Sequence, residues 1–165
     1  MMTSPQVLFD FQPEANLKNW YIVNDGVMGG VSRSQFQIDE AGNGVFEGSV
    51  SLDYNGGFAS VRYQTGAVDV SNYSTLVLKV RGGQKRYQAR VKTSPYERFS
   101  YIAYFEAQED WTEVRIPLSD MYPSFRGRRL RMDNFPGEQI GEFAILIGNK
   151  KEEEFRLEID WIGLE

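Results

Sequence analysis

Asn24 and Asp25 lead a glycine-bearing run, Asn24-Asp25-Gly26-Val27-Met28-Gly29-Gly30-Val31-Ser32. Asn55 leads a second, Asn55-Gly56-Gly57-Phe58-Ala59-Ser60-Val61-Arg62. Carboxamide, carboxylate and guanidinium groups set among glycines could line a shallow polar pocket whose backbone approaches a ligand or partner closely. In that pocket, with Asn55 nearby, Asn24 and Asp25 would supply directional hydrogen bonds and Met28 an adaptable apolar contact. Arg62 and Arg126 would make charge-assisted bonds to a partner carboxylate. The competing reading is conformational: Asn with Gly26, Gly29, Gly30, Gly56 and Gly57 would serve only to satisfy left-handed turns. The spacing is not a phosphate-binding fingerprint, because Gly26, Gly29 and Gly30 precede an alternating stretch and not a helix.

The chain holds no histidine and no cysteine. Ser-His-Asp triads, thiol nucleophiles, imidazole acid–base chemistry, disulfides and thiolate or imidazole metal sites are therefore excluded. Carboxylate chemistry remains open, with Asp25, Glu47 and Asp53 the acids nearest the glycine runs, but a glycosidase-like pair needs a separation that sequence does not give. No loop resembles an EF-hand, although sandwich loops can hold calcium without a linear motif. A short basic cluster, Arg126, Arg128, Arg129 and Arg131, suits either phosphate or an acidic partner surface, or is a solvated loop paired with local acids.

Strands must position these groups. Apolar residues recur at every second position, as in Ser34-Phe36-Ile38, Ala59-Val61-Tyr63, Leu76-Leu78-Val80, Tyr87-Ala89-Val91, Tyr101-Ala103-Phe105, Phe143-Ile145-Ile147 and Phe155-Leu157-Ile159-Trp161. With Val7–Phe11 and Trp20–Val23 this predicts about ten short antiparallel strands in an all-β sandwich of jelly-roll type, with minimal helix. Short helical pieces are expected only near Pro13–Asn19 and Ser119–Tyr122. The stretch from Tyr122 to Gln139, with Pro123, Gly127, Pro136 and Gly137, reads as a long surface loop. Lys150-Lys151-Glu152-Glu153-Glu154 reads as a charged hairpin tip. Trp20, Trp111 and Trp161 belong to the core or its rim, whereas Tyr54, Tyr96 and Tyr122 are the expected exposed tyrosines.

At 165 residues the chain fits one domain, 1–165, large enough for a single core. A net charge of −5, from 18 basic and 23 acidic residues, disfavours general nucleic-acid or anionic-membrane binding. No apolar run suits a signal peptide or a membrane span, so a cytoplasmic location is expected.

Motif order extends the reading. The run from Trp20 through Asn24–Ser32, then Phe46-Glu47-Gly48…Leu52 and Asn55–Arg62, is followed by Gly82…Arg86-Tyr87 and Trp111…Ile116-Pro117. Phe125-Arg126-Gly127 and Leu157-Glu158-Ile159-Asp160-Trp161-Ile162 come next. This series resembles the complex I intermediate-associated protein 30 family and covers nearly the whole chain. The resemblance implies a galactose-binding-like β-sandwich. It also implies, from the family's mitochondrial branch, an assembly chaperone for respiratory NADH:ubiquinone oxidoreductase that binds intermediates without joining the finished enzyme. Because the chain starts almost at the domain, without an Arg-rich presequence, a stand-alone bacterial member is expected. The expectation is thus a noncatalytic protein-binding module, without cofactor or metal, whose partners are respiratory-complex subunits or assembly intermediates. A glycan is the alternative ligand.

Overall fold

The computed structural model describes residues 6–28, 30–53 and 56–165; the side chains of Val27 and Met28 also lie outside the description. Two antiparallel sheets face each other. One contains β1 (Gln6–Asp10), β3 (Arg33–Ile38), β4 (Gly44–Val50), β6 (Thr75–Arg81), β9 (Thr112–Pro117) and β13 (Glu153–Leu164). Its order is β3-β4-β13-β6-β9, with β1 also paired to β13. The other contains β2 (Trp20–Ile22), β5 (Ala59–Asp69), β7 (Lys85–Lys92), β8 (Ser100–Ala107), β10 (Tyr122–Phe125), β11 (Arg128–Arg129) and β12 (Gln139–Ile147). Its order is β11-β10-β8-β7-β12-β5-β2. The all-β sandwich expected from the alternation is the architecture observed.

Side-chain period sets the core. Phe143, Ile145 and Ile147 of β12 point between the sheets with Val61 of β5, Tyr87, Ala89 and Val91 of β7, and Phe105 of β8. They meet Phe46, Leu76, Leu78, Leu157 and Ile159 from the other sheet. Along β13 the alternation breaks at a bulge between Ile159 and Trp161, which carries Ile162 and Leu164 inward and leaves Trp161 only half-buried. One end of the sandwich is filled by aromatic rings. Trp20 stacks on Tyr63 at 4.7 Å between centroids and lies 4.8 Å from Phe36, 5.3 Å from Phe9 and 5.5 Å from Phe11. These rings come from both sheets, so the cluster ties the edge strands β2 and β3 to the body of the fold.

Three expectations change. Pro13–Asn19 forms turns and not a helix, and the 3-10 piece near the second expected helix is Leu118–Asp120. The long loop expected over Tyr122–Gln139 instead begins with the β10–β11 hairpin, where Ser124 pairs with Arg129 and Phe125 with Arg128. Its two-residue connection, Arg126 at φ 50° and Gly127 at φ 80°, has the two positive φ values of a type I′ turn, whose twist matches that of the flanking strands. Further on, Phe135 is buried against Tyr101, so this segment is packed down onto the sheet. Lys150–Glu154 is not a hairpin tip: the chain crosses there from β12 in the seven-stranded sheet to β13 in the six-stranded sheet, with Lys150 at φ 58° and Glu153 and Glu154 already in β13.

Candidate functional site

The two glycine runs meet at one carboxylate. Asp25 begins a 3-10 turn, Asp25–Met28, and is fully buried. Its Oδ1 accepts the Ser32 N–H at 2.9 Å. Its Oδ2 accepts the Gly57 N–H at 2.7 Å, the Phe58 N–H at 3.3 Å and a short bond from the Ser32 hydroxyl. Burial by itself would raise the carboxyl pKa; the Ser32 hydroxyl and the Gly57, Ser32 and Phe58 amides outweigh it and hold the group below its ordinary value. Asn24 works alongside, with Oδ1 accepting from Ser34 Oγ at 2.7 Å and from the Ser60 N–H at 3.3 Å.

This geometry explains the glycines. A Cβ on Gly30 would lie 2.6 Å from Asp25 Oδ1 and 2.8 Å from Gly56 Cα, and one on Gly56 would lie 2.5 Å from Asp25 Oδ2. Close approach to the carboxylate demands glycine at both positions. Gly57, at φ 146°, is also in a conformation that favours glycine. Around Gly26 the space is open. Asn55, Gly29 and the Met28 side chain lie outside the described residues.

Arg62 and Arg126 face elsewhere. The outer face of the seven-stranded sheet carries a groove of about 780 Å³, bordered by the second glycine run at Gly56–Phe58, the β10–β11 hairpin and the turn at Gly148–Lys150. Strand register places its floor: Tyr21, Arg62, Ala144, Arg90, Ile102 and Tyr122 lie in one row across β2, β5, β12, β7, β8 and β10. Neighbouring rows add Gln88, Lys92, Ser100, Tyr104, Ser124 and Leu146. Seven cations line the groove: Arg62, Arg90, Lys92, Arg98, Arg126, Arg129 and Lys150. Among the described residues no Asp or Glu does.

Beside the groove, Glu142 is buried and accepts the Tyr21 hydroxyl at 2.6 Å, with Lys92 Nζ 4.0 Å from its other oxygen. Burial, and then Glu142, push the Tyr21 phenol up to about 12. Arg90 donates to Gln88 Oε1 at 2.9 Å, and burial followed by the Arg62 charge lowers its pKa to about 10. Two tyrosines are capped by cations. The Arg86 guanidinium lies 3.7 Å from the Tyr104 ring centroid and that of Arg129 4.5 Å from the Tyr122 centroid.

The structure thus joins Arg62 and Arg126 in one groove and places Asn24 and Asp25 in the loop junction beside it. Asp25 cannot itself touch a partner from this buried position. Arg90, Lys92 and Arg98 were not singled out from sequence, although Arg86-Tyr87-Gln88-Ala89-Arg90-Val91-Lys92 spells a strand with one apolar and one basic face. The acids considered for hydrolysis do not converge. Asp25 is enclosed by the loops, Glu47 pairs with Arg156 at 3.0 Å on the other sheet, and Asp53 is exposed. Trp111 lies under the Arg81 guanidinium at 4.9 Å, Tyr96 is 92% exposed and Tyr54 lies outside the described residues. The depression on the six-stranded sheet is lined by charges of both signs, several of them paired, including Arg81 with Glu158 and Arg156 with Glu47.

Comparison with known proteins adds the following. A family model described as Complex I intermediate-associated protein 30 matches residues 9–159. The chain is 29% identical over 184 residues to the mitochondrial protein of that name from Drosophila melanogaster, covering 96% of this chain and 62% of the relative. The Mus musculus protein of the same name is 24% identical, covering 99% of this chain and 57% of the relative. The chain therefore spans about 60% of the length of these curated relatives. Among solved structures, a family 11 carbohydrate-binding module from Clostridium thermocellum, in complex with a β-1,3-1,4-mixed-linked tetrasaccharide, superposes with a TM-score of 0.71. It is 16% identical and covers 99% of this chain and 96% of that one. A family 29 carbohydrate-binding module gives 0.55 at 8% identity, over 98% of this chain and 87% of that one. At these identities the likeness is one of fold.

Proposed function

This chain belongs to the complex I intermediate-associated protein 30 family, and from that premise we propose that it is a noncatalytic protein-binding module in respiratory complex I assembly. Its recognition face is the groove on the seven-stranded sheet together with the glycine run that borders it. The observation that carries this reading is the convergence of Arg62 and Arg126, remote in sequence, on one concave surface edged by Gly56–Phe58. Asp25 and Asn24 act from inside by fixing that edge, while the arginines meet the partner. The test is affinity purification of the tagged protein from its native cell, with mass spectrometry of what co-elutes. Respiratory-complex subunits or assembly intermediates are expected with the wild type and are lost with the Arg62→Ala/Arg126→Ala variant. Recovery of nothing specific by a folded, abundant bait refutes the reading.

A glycan is the second reading, favoured by the near full-length superposition on carbohydrate-binding modules and by Tyr104 and Tyr122 in the groove. Against it, guanidinium groups already occupy a face of each ring that a sugar would stack on. Titration with mixed-linked β-glucan oligosaccharides tests it; saturable binding lost in Tyr104→Ala would favour it over the protein partner.

A further inference from the structure

We propose that the floor of this groove, where Arg62 and Arg90 stand on either side of Ala144, is a binding site for a phosphate group carried on a small organic ligand. The strand register is the first support. Arg62 of β5 and Arg90 of β7 both pair with Ala144 of the intervening β12, so only a methyl-bearing residue separates two guanidinium-bearing ones. Their charges sense each other, since the Arg62 charge is among the causes that lower the Arg90 pKa, after burial. Among the described residues neither has a carboxylate in ion-pair range; the nearby Glu142, whose charge favours the charged form of Arg90, is engaged by Tyr21 and Lys92.

Three arginines of the six-stranded sheet are paired with carboxylates. Arg81 meets Glu158 at 2.6 Å, Arg115 meets Glu165 at 3.1 Å and Arg156 meets Glu47 at 3.0 Å. An acidic protein, with 23 carboxylate side chains against 18 cations, has acids to spare, yet among the described residues none lines the groove. A desolvated arginine held beside a second arginine is costly unless an anion joins them, and a guanidinium pair matches the oxygen geometry of phosphate. The excess of lining cations suits a dianionic phosphate better than a single carboxylate. A groove of about 780 Å³ falls within the size of small-molecule sites, so there is room for more than the anion. Ile102 and Leu146 on the floor, with the tyrosine edges, would receive the organic part.

The proposal shares the groove with the protein-binding reading but not its test. Calorimetric titration at low salt would use pyrophosphate, inorganic phosphate and citrate. Pyrophosphate is expected to bind, to weaken as salt is raised, and to lose about ten- to a hundred-fold in affinity in Arg62→Gln or Arg90→Gln, the loss typical of one charge-assisted hydrogen bond. Arg115→Gln, a charge-matched change on the six-stranded sheet, is expected to leave affinity unaltered. Should Arg90→Gln fail to fold, Arg62→Gln and the exposed Arg129→Gln carry the comparison. Absence of binding at millimolar pyrophosphate, an equal loss in Arg115→Gln, or citrate binding as tightly as pyrophosphate would each overturn the assignment. Any of these results leaves the purification of assembly intermediates unaffected, so the two readings fail separately.

Discussion

Replacing Asp25 by alanine removes an acceptor that serves the Ser32 hydroxyl and the Ser32, Gly57 and Phe58 amides, and it leaves these donors without their partner. One hydrogen bond to a charged group contributes about 1.5–3 kcal/mol. Four bonds to one carboxylate are not additive, and water can enter beside the half-buried Gly57 and Phe58, so a loss of about 3 kcal/mol is expected in place of the sum. For a chain of this size that is a fall in Tm of about 6–12 °C. Urea unfolding at pH 7, followed by tryptophan fluorescence, reads it as a lowered midpoint at unchanged slope. The pH dependence supplies a second check. The folded-state pKa of Asp25 lies below its unfolded value of about 3.9, so its contribution is complete above that value and is lost as pH falls through the folded pKa. Wild type should therefore lose more stability than Asp25→Ala on going from pH 5 to strongly acid solution. A stability loss below about 1 kcal/mol at pH 7, or identical acid sensitivity in the two proteins, would refute the clamp.

Other perturbations report on the same framework. Gly30→Ala and Gly56→Ala should each cost about 1–3 kcal/mol by driving a methyl against the Asp25 carboxylate, and chemical denaturation measures this. Trp20→Ala should cost about 3–5 kcal/mol by emptying the ring cluster that joins the sheets, seen in both thermal unfolding and near-ultraviolet circular dichroism. Arg90→Met should raise Tm by a few degrees in the absence of ligand, about 1 kcal/mol, because it removes a desolvated charge beside Arg62; a fall in Tm would argue for a structural role. The Tyr21 phenol should ionise near pH 12, and Glu142→Gln should bring it back toward the ordinary tyrosine range in an ultraviolet titration.

The alternating pattern announced the strands because a sheet with one buried face imposes a period of two on its side chains, and Tyr87-Ala89-Val91 or Phe143-Ile145-Ile147 can satisfy it in one way only. It failed at Trp161, where a bulge inserts one residue and shifts the phase, since a bulge in β13 is fixed by pairing with β6 and leaves little local mark. The β10–β11 hairpin was hidden for a different reason. Pro123, Gly127, Pro136 and Gly137 read as loop residues, while the positive φ at Arg126 that completes the type I′ turn is adopted by a residue type that seldom takes it.

The glycine runs were legible as a site of close approach, but what approaches was not. Sequence places Asp25 and Gly57 in separate segments, and only the pairing of β2 with β5 brings the second run against the first, where the carboxylate gathers both. The basic groove follows the same logic. Arg62 and Arg90 stand on strands far apart in the chain, and their common row across β5, β12 and β7 exists only once β12 has inserted between them. Residue types and local period, which act within a strand, decided the sandwich and its core. The register between strands, a long-range property set by which partners pair and where bulges fall, decided which polar groups share a surface.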